Sequence, residues 1–206
     1  MDKHFVQLHL HTEFSLLDGA IKLPELISFA QEQKWKALGI SDHGNIFGAV
    51  KFFKAAKKAN IKPILGTEFY FSPDITVKNV KEKYFHITIF LHNEISYKNL
   101  CRLMAYAFQE GFYFKPRIDF AALKKYNEGL LIGTACLGGH IPTMILENKL
   151  ETAEKSIEWF LDVFGQDRFF LEVMPLCQEE DKMVQPKLFE YSEKYGVDCI
   201  ATNDAH

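Results

Sequence analysis

Short apolar runs and amphipathic helical stretches alternate from one end of this chain to the other, and no other feature restricts the fold as much. The runs "FVQLHL", "KALGIS", "KPILGTEFYF", "YFHITIFLH", "GLLIGTA", "RFFLEVM" and "GVDCIAT" read as strands, with Gly66 expected to break the third. Between them, "PELISFAQEQK", "GAVKFFKAAKKA", "SYKNLCRLMAYAFQEG", "KLETAEKSIEWFLDVFG" and "EEDKMVQPKLFEYSEKY" carry helical periodicity. Pro24 opens the first of these where proline is tolerated, and the last reads as helix despite Pro186. Strands separated by helices predict an α/β fold with a mostly parallel sheet and crossover helices. About seven strands, counted by this rule, leave both a β/α barrel and a doubly wound sheet open. Neither G-x-G-x-x-G after the first strand nor G-x-x-x-x-G-K-[ST] occurs, so nothing favours a nucleotide-binding fold of those kinds. No repeat, low-complexity tract or linker divides the 206 residues, so one domain is expected over 1–206.

Composition bounds the function classes. A net charge of −3 argues against a strong sequence-independent grip on nucleic acid by this chain alone, which needs concentrated Lys and Arg. The 19 phenylalanines point to a well-filled interior. The start "MDKHFVQLHL" lacks the pattern of a signal peptide, and no run approaches the ~18 apolar residues of a membrane span. Cys101, Cys136, Cys177 and Cys199 lie far apart with no C-x-x-C pair, as expected of reduced thiols in a cytoplasmic protein.

In barrels and open parallel sheets, chemistry gathers at the carboxyl ends of strands. Reading those ends gives His9 and His11 on the first strand, Asp42 and His43 on the second, and Glu68 along the third. Cys136 follows a later run, and the final strand leads into Asp204 and His206. These side chains are transition-metal ligands. Residues i and i+2 of a strand share a face, so His9 with His11, and Asp204 with His206, should project together. Barrel closure would make the first and last strands neighbours and bring both pairs over one mouth. Each residue has an ordinary reading when taken alone. Asp18 before Gly19 suits a turn, Asp42 suits a helix cap, and Cys136 suits a small buried hydrophobe. Those readings do not explain their joint placement at strand ends. The same rule selects His92, not His86, in "YFHITIFLHN".

With these residues assembled, the chain resembles the polymerase-and-histidinol-phosphatase (PHP) domain at the amino terminus of bacterial replicative polymerase subunits. The segments "LHLHTEFSLLDG", "ISDHGNIFGAVKFFKAAKKANIKPILGTEFY", "TACLGG" and "ATNDAH" carry the likeness, and "EGFYFKPRID" with "SLLDG" points to the DNA polymerase III α branch. The resemblance implies a distorted seven-stranded β/α (TIM-like) barrel. It implies nine ligands, His9, His11, Asp18, His43, Glu68, His86, Cys136, Asp204 and His206, around two to three divalent ions of zinc, manganese or iron, with Asp42 orienting a ligand. Lys115 and Arg117 in "FKPRI" are candidate phosphate contacts, and a solvated loop is the ordinary reading of both. The activity implied is metal-dependent 3′→5′ hydrolysis of a DNA end, within the replisome. The alternatives are a metal-stabilised structural domain that docks a separate proofreading subunit, and a stand-alone phosphatase acting on a small ester such as histidinol phosphate. The family's polymerase carboxylates are absent, so the chain itself should not synthesise DNA. A chain ending on its own proposed ligand reads as an excerpt, with a barrel that lacks closing elements.

Overall fold

In the computed structural model the described residues are 5–78, 84–174 and 178–206. The elements follow in the order α1 (Leu23–Glu32), β1 (Ala37–Ile40), α2 (Ala49–Lys58), β2 (Lys62–Phe71), β3 (Phe85–Leu91), α3 (Glu94–Gln109), β4 (Phe112–Tyr113) and β5 (Lys115–Ile118). They continue with α4 (Phe120–Tyr126), β6 (Leu130–Gly133), α5 (His140–Leu146), α6 (Leu150–Phe164), β7 (Phe169–Val173), α7 (Glu179–Tyr195) and β8 (Cys199–Ala201). The long helices lie where periodicity placed them, and α7 runs through Pro186.

The sheet runs β4-β5-β2-β3-β6-β7-β8, with β1 on the first half of β2. Pairing is parallel between β1 and β2, β2 and β5, β6 and β7, and β7 and β8. It is antiparallel between β3 and both its neighbours and between β4 and β5. The expectation of a mostly parallel sheet therefore fails at β3 and at the β4–β5 edge. No helix separates β2 from β3 among the described residues, and a parallel neighbour needs a long crossover where a reversed one does not. Gly66 does not break β2. It pairs with Phe90, and a Cβ there would overlap the Phe90 ring and come 2.7 Å from the Ile89 carbonyl oxygen, so the glycine admits β3 at close range.

Residues 5–10, expected as the first strand, form no regular strand. They pass between β1 and the last residues of the chain. The Gly39 and Ser41 amides donate to the Gln7 and Leu10 carbonyls at 2.7 and 2.8 Å, and the His11 amide donates to the Ala205 carbonyl at 2.8 Å. Side chains replace part of the missing ladder, since the Ser41 hydroxyl accepts the Leu10 amide and the Gln7 side chain donates to the His9 carbonyl. Leu10 forms a parallel bridge with Ala205. This segment thus joins β1 to the residues after β8.

Two apolar clusters hold the sheet in place. One packs β2, β3, β6 and β7 against α3 to α7, around Phe69, Phe71, Leu103, Phe160 and Tyr191. The other joins Leu10 to α1, α2 and β1 through Leu26, Leu38 and Phe52. Leu10 faces this second cluster, so His9 and His11, its neighbours, face the opposite way.

Candidate metal centre

Strand direction decides which side chains reach the mouth. His9 and His11 arrive from the N-terminal segment, fully buried, and His43 from the extension of β1, where it bridges to Glu68 of β2. Because β3 is reversed, its first turn of chain lies at the end where the other strands finish, and this puts His86 at the mouth in place of His92. Cys136 follows β6, and Asp204 and His206 follow β8.

Eight of the nine candidate ligands fall into three overlapping groups, His9/His11/Glu68/Asp204, His43/Glu68/His86 and His11/Asp18/His43/His206. Glu68 links the first two. Its Oε1 lies 3.3 Å from His9 Nε2 and 3.1 Å from His86 Nδ1, and its Oε2 lies 3.2 Å from His11 Nε2 and 2.9 Å from His43 Nδ1. Asp204 Oδ1 lies 3.1 and 3.2 Å from His9 Nε2 and His11 Nε2. Asp18 Oδ2 lies 2.9 Å from both His43 Nε2 and His206 Nε2. Cys136 is outside the three groups, with its Sγ 4.0 Å from Glu68 Oε1 and 3.9 Å from His86 Nδ1. Asp204 and His206 do not share a strand face as expected, since β8 stops at Ala201 and Asp204 takes the left-handed conformation (φ 49°). Ala135 and Leu17, each preceding a candidate ligand, share that conformation.

Two observations test whether these residues suit cations. The separations match the edge of a tetrahedron with bonds of about 2.0–2.1 Å, roughly 3.3 Å. Despite those separations, His9 Nε2, His11 Nε2, His43 Nδ1, Glu68 Oε2 and Asp204 Oδ1 are buried and make no hydrogen bond. Donors and acceptors this close that do not bond one another fit ligands aimed at common points. Buried polar atoms are rarely left so, and the donor set fits divalent cations.

The electrostatics demand positive charge. Burial would lower the His9 imidazole, yet Glu68, Glu172 and Asp204 outweigh it and hold His9 well above its ordinary value. His11 is raised in the same way by Asp204 and Glu68. Burial would raise Glu68, and His9, His11, His43 and His86 instead hold it well below the usual carboxylate range. Asp204 is held low by His11 and His9 against its own burial. Burial, with Glu68 and Asp204, pushes the Cys136 thiol up, so its thiolate needs a nearby cation.

A second layer fixes the rings. Asp42 accepts the Thr12 amide at 2.7 Å and the Ser15 hydroxyl at 2.8 Å, and Ser15 Oγ lies 3.1 Å from His11 Nδ1. Asp42 therefore bears on His11 through Ser15. Glu172 was missed in the sequence. This carboxylate, 2% exposed, faces His9 Nδ1 at 3.1 Å and accepts the Ala135 amide and the Thr202 hydroxyl, each at 2.9 Å, together with the Thr88 hydroxyl. Its signal was a lone acid in the apolar run "FFLEV", where an unpaired charge would not be buried.

Arg117 is corrected as a phosphate contact. It is 3% exposed, and its guanidinium donates to the carbonyls of Gly111, Val77 and Ile75 at 3.1, 3.2 and 2.9 Å. Lys115, its neighbour but one, lies with Nζ 5.0 Å from the Tyr70 ring centroid. Among the described residues no helix is long and apolar enough to cross a membrane. Cys101, Cys136 and Cys199 are free, and Cys177 lies outside the described residues.

Comparison with known proteins places this geometry in context. The PHP domain family matches residues 7–175. The DNA polymerase III subunit alpha of Borreliella burgdorferi is 44% identical over 98% of this chain, and that of Aquifex aeolicus 46% identical over the whole chain. The chain spans 18% of the length of each. A solved structure from Bifidobacterium adolescentis, assigned as a metal-dependent phosphoesterase, superposes with a TM-score of 0.65 at 15% identity, covering 99% of this chain and 88% of that one. At that identity the likeness concerns the fold.

Proposed function

The chain belongs to the PHP domain family, and from that premise we propose that it is the metal-dependent phosphoesterase domain of a replicative DNA polymerase α subunit, hydrolysing phosphodiesters at a DNA 3′ end. The observation that carries this reading is the convergence of eight candidate ligands on shared points, with five of their atoms buried and unpartnered. In it, His9, His11, Glu68 and Asp204 would hold one ion and His43, Glu68 and His86 a second with Cys136 beside it, while Asp18, His43 and His206 would close the outer edge. Bound divalent ions supply Lewis-acid polarisation of a phosphoryl oxygen and a water acidic enough to attack near neutral pH. The chain's own residues do the rest. Glu172 keeps the His9 proton on Nδ1 and leaves Nε2 for the ion, and Ser15, held by Asp42, does the same for His11. Lys115 is the cation this reading assigns to substrate phosphate. Zinc, manganese and iron all suit this mixed nitrogen, oxygen and sulfur set.

A second reading, a metal brace without turnover, has an observation in its favour. The first group of ligands ties the N-terminal segment to β2 and to the residues after β8, across the closure that few backbone hydrogen bonds hold. Metal bound only by the folded state stabilises it whether or not chemistry follows. Single-stranded DNA labelled at its 5′ end separates the two. Stepwise shortening from the 3′ end by the metal-loaded protein, lost in His9→Ala and Asp204→Ala, supports hydrolysis. Metal-loaded protein as inactive as the variants supports the brace, and far faster turnover of a phosphomonoester favours a small-molecule phosphatase. DNA and the other replisome subunits are the partners this reading implies, in the cytoplasm.

A further inference from the structure

Beside the group His43/Glu68/His86 the chain places two tyrosines and a lysine that the proposed ligand set does not use. Tyr70, 8% exposed, lies nearly parallel to the His43 ring (centroids 5.8 Å apart, 20° between planes). Tyr84 packs edge-on against Tyr70 at 5.0 Å and lies almost parallel to the His86 ring at 6.1 Å and 12°. Tyr84 keeps 38% of its surface open, so its ring is positioned by the rim of the centre without being consumed by it. On the same Tyr70 ring stands Lys115 Nζ, 5.0 Å from the centroid, and among the described residues Lys115 forms no ion pair. A partly exposed ring, a cation that forms no ion pair and a candidate metal-ligand group therefore adjoin one another. A phosphate ester that carries a planar aromatic group would match each of the three.

We infer that this cluster is a nucleotide subsite, in which Tyr84 stacks on the base of the terminal nucleotide and Lys115, steadied by Tyr70, holds its phosphate. The inference rests on the phosphodiesterase reading and narrows its substrate to a nucleic-acid end with an unstacked base. Stacking tolerates any base, since every base presents a π-face, so the subsite selects an end and not a sequence.

Calorimetric titration of the metal-loaded protein with thymidine 5′-monophosphate and with inorganic phosphate tests this without requiring turnover. Wild type should bind the nucleotide more tightly. Tyr84→Ala should reduce that preference by about 5- to 150-fold, the range of one base–aromatic stack. Tyr84→Phe should keep most of it, and Lys115→Gln should weaken both ligands by a similar factor. A wild type without preference for the nucleotide, or a preference that survives Tyr84→Ala, overturns the inference. Nucleotide preference lost in Tyr84→Ala, alongside no shortening of a labelled oligonucleotide, keeps the subsite and removes the hydrolytic reading.

Discussion

Replacing Glu172 by glutamine changes one atom of the carboxylate, and the surroundings dictate which way the new amide must face. Oε1 accepts the Ala135 amide at 2.9 Å, a backbone donor that cannot turn away. An amide NH2 on that side would set donor against donor and leave a buried N–H unpaired, at a cost of about 1–3 kcal/mol. The glutamine NH2 must therefore take the Oε2 side, facing Thr202, whose hydroxyl can rotate to accept, and His9 Nδ1 at 3.1 Å. His9 then satisfies the amide only by accepting at Nδ1, which moves its proton to Nε2, the nitrogen aimed at Glu68 and Asp204. Glu172→Gln should thus hold His9 in the tautomer that cannot bind an ion. Loss of such an orienting partner lowers metal affinity about 10- to 100-fold, or roughly 1.4–2.8 kcal/mol. Competition against a chromophoric chelator measures this directly, with circular dichroism to show that the variant is folded. A folded Glu172→Gln protein that binds metal as tightly as wild type would refute the assignment of Glu172 as the partner that sets the His9 tautomer.

Other perturbations bear on the same centre. A Cβ at Gly133 would overlap Glu172 Oε1 and Thr88 Oγ1, so Gly133→Ala should lower chemical stability by about 1–3 kcal/mol in urea and weaken metal binding in the same direction as Glu172→Gln; unchanged affinity would count against this. In chelator-treated protein, the stability that His9 and His11 contribute is complete below their ordinary value of 6.5 and is lost as pH rises through their raised values. Cations need the deprotonated rings, so the gap in melting temperature between metal-loaded and chelated protein should widen from pH 6 to pH 8, and a constant or narrowing gap would contradict the ligand assignment. Arg117→Ala removes three bonds to carbonyls from a buried guanidinium and should cost about 3 kcal/mol in urea unfolding, whereas Lys115→Gln should leave unfolding nearly unchanged and weaken phosphate binding.

The sequence made much of the candidate centre readable because its candidate ligands sit in short motifs at the ends of apolar runs. Alternation of strand and helix announced an α/β fold while leaving its closure open, and the bridge of Leu10 with Ala205 brings the first and last candidate ligand pairs together as closure requires. What was not readable depended on direction and partners. His86 is invisible to a rule about strand ends until β3 is known to run backwards, and the missing helix before β3 was the available sign. Gly66 looked like a break because a lone glycine in a strand has two meanings, and only the Phe90 ring beside it decides between them. Arg117 and Lys115 share a motif and, as i and i+2 of β5, are not told apart by strand alternation; only their partners separate them, carbonyls for one and the Tyr70 ring for the other. Glu172 stands in a run that otherwise looks like plain core, and its four donors come from residues 9, 88, 135 and 202. Pairing across such distances is not written in local pattern.

Anomalous scattering from crystals of the metal-loaded protein most directly tests whether these scattered side chains share cations. Peaks should lie about 2.0–2.3 Å from His9 Nε2, His11 Nε2 and Asp204, and again between His43 and His86, with Glu68 joining the two positions. Metal bound elsewhere, or rings and carboxylates turned apart with no peak between them, would contradict the central claim.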